Sequence, residues 1–127
     1  MIKSFEAVYK EIENLFINQL PDYIDKINKE QNDGIILKPF ENKNLKDNCI
    51  KQPCFTFAVE EAEYSEKDRI IENSIFECSI EIKIEQTENF IFWRYIEAIK
   101  KMLVEEDSDI IIIKVQATKV LLRIILS

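Results

Sequence analysis

Ten residues near the middle of the chain constrain its fold more than any others. From Phe76 to Glu85 the side chains alternate without a slip. Phe76, Cys78, Ile80, Ile82 and Ile84 face one way; Glu77, Ser79, Glu81, Lys83 and Glu85 face the other. A two-residue period belongs to a β-strand, whose successive side chains leave opposite faces of the sheet. One face of this strand is core and the other meets solvent or a partner. Such a strand needs neighbours in its sheet and a cover over its apolar face.

The neighbours are legible. Pro53 opens a stretch in which Phe55, Phe57 and Val59 alternate with Thr56 and Ala58 up to about Tyr64. With the first strand it predicts a long hairpin, Phe55–Ile84, turning at Ser65-Glu66-Lys67-Asp68, with a bulge near Asn73 where the phase slips. Ile110–Val115 and Val120–Leu126 predict two closing strands, joined by a hairpin loop at Gln116–Lys119. Ile35–Lys38, closed by Pro39, reads as one more short strand. Phe40–Gln52 is polar and aperiodic and reads as a surface loop free to move.

The cover comes from two helices. Phe5, Val8, Ile12, Phe16, Leu20, Ile24 and Ile27 recur at helical spacing over Ser4–Asn28. Ser4 is the N-cap, Pro21 predicts a kink or break near Leu20, and Asn32-Asp33-Gly34 stops the helix. Thr87 caps a second helix running to Val104, with Phe92, Tyr95, Ile96, Ile99, Met102 and Leu103 as its core stripe. The expected fold is α+β: an antiparallel sheet with a long hairpin and two helices packed on one face. At 127 residues the chain reads as a single domain, 1–127. The uncovered sheet face should be polar, carrying Glu77, Glu81, Lys83 and Glu85.

Composition narrows the chemistry. There is no His and one Gly, so a Ser-His-Asp or Cys-His site, a His-ligated metal and a glycine-rich phosphate loop are all excluded. Cys49 and Cys54 lack the further ligands a zinc site needs, and Cys78 lies on the core face. No cofactor, no metal and no catalytic residue is expected, and the chain reads as not an enzyme. The odd cysteine count, and no signal peptide at Met1–Ser4, point to a reducing cytoplasm without a disulfide. No apolar run approaches a membrane span. The net charge of −7 repels phosphate and argues against specific nucleic-acid binding.

Three features stand out. Phe90 and Trp93 lie off the core stripe of the second helix. Either the helix is rotated or covered there, or they are aromatic anchors of a protein interface. Between Glu60 and Glu88 there are ten carboxylates and three cations, Lys67, Arg69 and Lys83. This is a solvated face, a surface for a basic partner, or one that repels DNA. The run Glu105-Glu106-Asp107-Ser108-Asp109 reads as an exposed turn.

The succession of a helix (Ser4–Asn28), an extended hairpin (Phe55–Ile84), a second helix (Thr87–Val104) and closing strands (Ile110–Leu126) resembles the tail-terminator and tail-completion proteins of long-tailed phages, the family of the lambda minor tail protein U. The resemblance lies in element order and covers nearly the whole chain. It implies a structural protein: a homo-oligomeric ring, commonly of six subunits, that caps the tail tube and meets the head connector. The chain would then be a virion component or lie in the host cytoplasm. In such a ring the outer hairpin (Glu63, Lys67, Arg69, Ile70 and Ile71) and the aromatic pair (Phe90 and Trp93) are the expected seams. The alternative is a small acidic binding module, such as an immunity or inhibitor protein that covers a basic partner.

Overall fold

A computed structural model describes residues 4–85 and 89–126. The chain is an α+β sandwich: a four-stranded antiparallel sheet in the order β1-β2-β4-β3, with the helices packed on one face. The elements are α1 (Phe5–Glu13), a π-helical segment (Asn14–Gln19), α2 (Leu20–Gln31), β1 (Cys54–Lys67), β2 (Ile70–Lys83), α3 (Asn89–Glu105), β3 (Ile110–Gln116) and β4 (Lys119–Leu126).

The N-terminal helix begins where the sequence places it, with the Ala7 amide donating to the Ser4 hydroxyl at 3.2 Å. The chain stays helical past Leu20, and the irregularity expected there takes the form of a π-helical segment, Asn14–Gln19, with regular α-helix resuming at Leu20. The π segment widens the turn just before Pro21, where a proline ring would otherwise clash with the carbonyl four residues back. Pro21 then sits in the first turn of α2, where its missing N–H costs least. The helix ends at Asn32, whose left-handed backbone forms the C-cap.

Two expectations about the connecting segment are corrected. Ile35–Lys38 is not a strand and takes no part in the sheet. Its partner is a side chain: the Asn28 amide donates to the Leu37 carbonyl at 2.9 Å and accepts from the Leu37 amide at 2.8 Å. Residues 40–52 are not a free loop. Asn42 repeats the device on β1, donating to the Phe55 carbonyl at 2.7 Å and accepting from its amide at 2.9 Å. Leu45 is buried, and its amide donates to Glu13 at 3.1 Å. A carboxamide offers one donor and one acceptor side by side, so a single Asn can stand in for a strand neighbour. Cys49 and Cys54 form a disulfide across this segment, with Cα atoms 5.4 Å apart, correcting the expectation of free thiols. That separation lies within bridging range once the loop doubles back. Cys78 is free and buried, as its place in the alternation requires.

The core forms where the helical stripes meet the sheet. Phe76, Cys78, Ile80 and Ile82 of β2 and Val120, Leu122 and Ile124 of β4 lie under Ile12, Phe16, Ile24, Ile99 and Met102 in one buried cluster. The β1–β2 hairpin turns at Asp68-Arg69, later than expected, and both residues have positive φ (54° and 67°). That pair of angles marks the tight two-residue turn whose twist suits a hairpin. The expected bulge is present: Glu72 has no partner between Asn73 and Ile71. A second bulge falls at Glu60 and a third at Ile113. The closing hairpin turns on Ala117-Thr118. The expected cap of α3, Thr87, lies outside the described residues.

At its other end α3 stops in a Schellman turn. The Ser108 amide reaches the Leu103 carbonyl at 3.1 Å, and the Asp107 amide reaches Val104 at 3.2 Å. Asp107 takes the left-handed position usually given to glycine (φ 50°). The acids here are not simply a solvated turn, because Glu106 accepts from the Tyr23 hydroxyl at 2.8 Å and Glu105 pairs with Lys26 at 3.3 Å. They tie α3 to α2. Among the described residues no helix is long and apolar enough to cross a membrane.

Candidate functional site

The expected seam residues fall at two ends of the sandwich. Phe90 and Trp93 lie in the first turns of α3, just beyond the C-terminal end of β2, while Glu63 and Arg69 belong to the hairpin that precedes it. The length of β2 separates the ends by about 45 Å. No single patch holds all of these residues. The side chains of Lys67, Ile70 and Ile71 lie outside the described residues; the backbone pairs Lys67 with Ile70 and Glu66 with Ile71.

The two aromatics are exposed, Phe90 to 43% and Trp93 to 50%. The possibility of a rotated or covered helix is therefore set aside. Phe90 is already engaged in part: the Arg94 guanidinium lies 5.0 Å from its ring centroid and is itself paired with Asp33 at 2.5 Å. That pair holds the Asp33 carboxyl below the usual carboxylate range, chiefly through the hydrogen bond from Arg94. Trp93 meets Phe92 edge to face at 5.4 Å and otherwise presents half its surface to solvent.

At the opposite end the β1–β2 ladder outruns the rest of the sheet. β4 covers β2 only from Ser74 to Glu81, whereas β1 and β2 stay paired to Lys67 and Ile70. The outer hairpin is thus a two-stranded ribbon. The described side chains of β1 from Ala58 to Glu66 are exposed.

The helix-free face of the sheet is less polar than its β2 sequence suggests. Ile111 and Ile125 are half-exposed on it, beside Glu77 and Glu81. Part of its acidity is neutralised by β4. Arg123 places two N–H groups on one Glu77 oxygen at 2.7 and 3.2 Å. Glu60, turned out by its bulge, accepts from the Ser79 hydroxyl at 2.6 Å and from Lys119 at 3.5 Å. The Ser79 bond first, and the Lys119 charge next, lower the Glu60 pKa. Sequence reading missed both partners because a bulge and a cross-strand register cannot be counted from spacing.

The described residues line several surface depressions, and the one beside Ile36, Leu37, Ile84 and Ile91 sets Lys38 and Glu85 among those apolar side chains. Another, beneath the Cys49–Cys54 loop, is lined by Glu41, Lys43, Asp47 and Lys51. A further one runs between α3 and β3, lined by Lys100, Leu103, Val104, Ile110, Ile111 and Ile112. Among the described residues no group of three or more potential metal-ligating side chains converges. Comparison with protein-family models, curated proteins and solved structures finds no match.

Proposed function

We propose that this chain is a structural subunit that assembles with its own copies into a ring of the tail-terminator kind. The ring would seat on a phage tail tube and meet the head connector, within the virion or the host cytoplasm. The observation that carries the reading is the β1–β2 ribbon, which reaches past the sheet with exposed side chains. A lone two-stranded ribbon is marginal in water, and its open edges invite pairing. A neighbouring subunit would cover them, in a heterologous contact that closes after a fixed number of copies. Trp93, at the other end, is a fitting anchor for the next subunit.

The charge balance supports the same role. Glu61, Glu63 and Glu81 form no ion pair among the described residues, so the helix-free face keeps part of its negative charge. A channel lined this way lets DNA pass without holding it.

The test is light scattering across concentration, with negative-stain microscopy of the largest species. The expected result is a closed ring, weakened by Trp93→Ala and weakened also in a variant whose hairpin is shortened by joining Tyr64 to Ser74 through Asn-Gly. A strictly monomeric protein, with or without tail tube, would overturn the proposal in favour of the acidic binding module.

A further inference from the structure

The sheet has two unpaired edges. Among the described residues β1 pairs as a strand only with β2, and β3 only with β4. At the Cys54 end the β1 edge is closed by the loop, since Glu41 donates to the Pro53 carbonyl and Asn42 clamps Phe55. Beyond Phe57 it is open. We infer that a second copy of this chain joins here, its β1 pairing antiparallel with β3 so that Glu63 lies opposite Lys114 and the two sheets become one. The inference rests on the ring reading and specifies its seam.

Strand parity comes first. In a fully antiparallel sheet of four strands the two edge strands run in opposite directions. A copy rotated about an axis along the strands therefore presents β1 antiparallel to β3, and the alternation continues across the boundary. The contact is head to tail, as a ring requires.

Charge selects this pairing over the two symmetric ones. β3 carries a single charged residue, Lys114, with no ion pair among the described residues. The open part of β1 presents Glu61 and Glu63, exposed and with no ion pair among the described residues. A β1–β1 pair centred between Glu61 and Glu63 would oppose carboxylates, and a β3–β3 pair centred on Lys114 would oppose lysines. Like charges directly opposite one another destabilise a strand pair.

The faces also agree. Lys114 shares a cross-strand row with Leu121 and Ser79, and Glu63 shares one with Ile75, so both stand on the helix-free face. With Glu63 opposite Lys114, Ala62 meets Val115 on the helix side and Glu61 meets Gln116 on the other. A slip of one residue would reverse every one of these matches.

Finally, each edge has an apolar deficit that the other fills. Val59 and Tyr64 lie on the helix side of β1, yet no helix of their own subunit covers them, and Tyr64 is 57% exposed. Beside β3, Val104 is 78% exposed at the groove between α3 and the strand. In the proposed register the extra residue of the β3 bulge, Ile113, is skipped and Tyr64 falls opposite Ile112. Its ring then enters that groove against Leu103 and Val104. Strand addition beside a helix is an established way of joining two chains: backbone bonds supply affinity and a side chain in the groove supplies register.

The experiment is charge reversal with rescue. Glu63→Lys and Lys114→Glu are made singly and together, with urea unfolding to confirm an unchanged fold. Assembly is followed by light scattering. Each single variant is expected to shift the assembly midpoint at least tenfold to higher concentration, and the double variant to recover it. In parallel, Ala62→Cys and Val115→Cys variants are mixed under mild oxidation. The expected product is a covalent dimer that contains one of each. Rings that persist through both single reversals, or cross-links confined to like variants, would overturn this seam while leaving the ring intact. A wild-type chain that stays monomeric at every concentration would remove both the seam and the ring.

Discussion

Replacing Asn42 by Ala tests whether one side chain can do the work of a strand. The amide is buried and makes two bonds to the backbone of Phe55, itself inaccessible to solvent. Removing it leaves a buried N–H and a buried C=O at the covered end of β1. Each such group costs about 1–3 kcal/mol when it loses its partner without gaining water. The pair gives about 2–6 kcal/mol, and slight loosening of the loop, which lets water reach one of the two groups, brings the expected loss to about 2–4 kcal/mol. With a urea m-value of about 2 kcal/mol/M for a domain of this size, the midpoint should fall by roughly 1–2 M. The measurement is equilibrium urea unfolding followed by circular dichroism, with the disulfide kept intact. Asn48→Ala is the control: that side chain is exposed on the same segment and should change stability by less than about 0.5 kcal/mol. Asn42→Asp sharpens the test. Its carboxylate can accept from the Phe55 amide but repels the Phe55 carbonyl, so this variant should regain stability as the pH falls and the carboxyl protonates. A loss below about 1 kcal/mol for Asn42→Ala, no larger than the control, would show that water replaces the amide and would refute the reasoning.

Four further outcomes follow from particular contacts. Tyr23 is pushed up to about 12, first by its hydrogen bond to Glu106, and Tyr95 to about 12 by burial. Both favour the neutral phenol in the fold, so their contribution is complete below about pH 10 and is lost as the pH rises toward 12; Tyr23→Phe should remove its share, read by absorbance titration at alkaline pH. Burial raises the Cys78 thiol to about 11, so it should resist alkylation at pH 8 in the folded protein. After unfolding, one thiol per chain should titrate without reductant and three with it, because Cys49 and Cys54 are bridged. Asp107→Gly should stabilise the chain by about 0.5–1 kcal/mol, measured by urea unfolding, because glycine occupies the left-handed position without strain.

The sequence carried the regular elements clearly and the contacts of irregular backbone poorly. The strict alternation of Phe76–Ile82 could satisfy only a half-buried strand, and the threes and fours of α3 only a helix with one buried stripe. In both cases the period itself is the physical constraint. The segment from Ile35 to Pro53 has no period. Its order comes from Asn28 and Asn42, each reaching a backbone nine or thirteen residues away. Nothing in local spacing distinguishes such an Asn from a solvated one. The same holds for the disulfide, whose two cysteines come within reach only after the loop doubles back. The candidate surface divides similarly. Trp93 announced itself by standing off the apolar stripe, whereas Lys114 and Glu63 gained their meaning only when the sheet order made β1 and β3 the two edges.

The π segment bears on how chains like this one are compared. Val8 and Ile27 mark the ends of one apolar face in the N-terminal helix, and five regular turns between them would consume about 18 residues. The chain spends one more, and the wide turn at Asn14–Gln19 absorbs it, so both halves of the helix look toward the same sheet. That surplus residue behaves as an insertion with no visible loop. Homologous helices that lack it would stay in phase on either side and differ by a single gap inside what reads as unbroken helix. A pairing of sequences that forbids a gap there would match the buried face of one half with the solvent face of the other, and two chains of the same shape would pass for strangers.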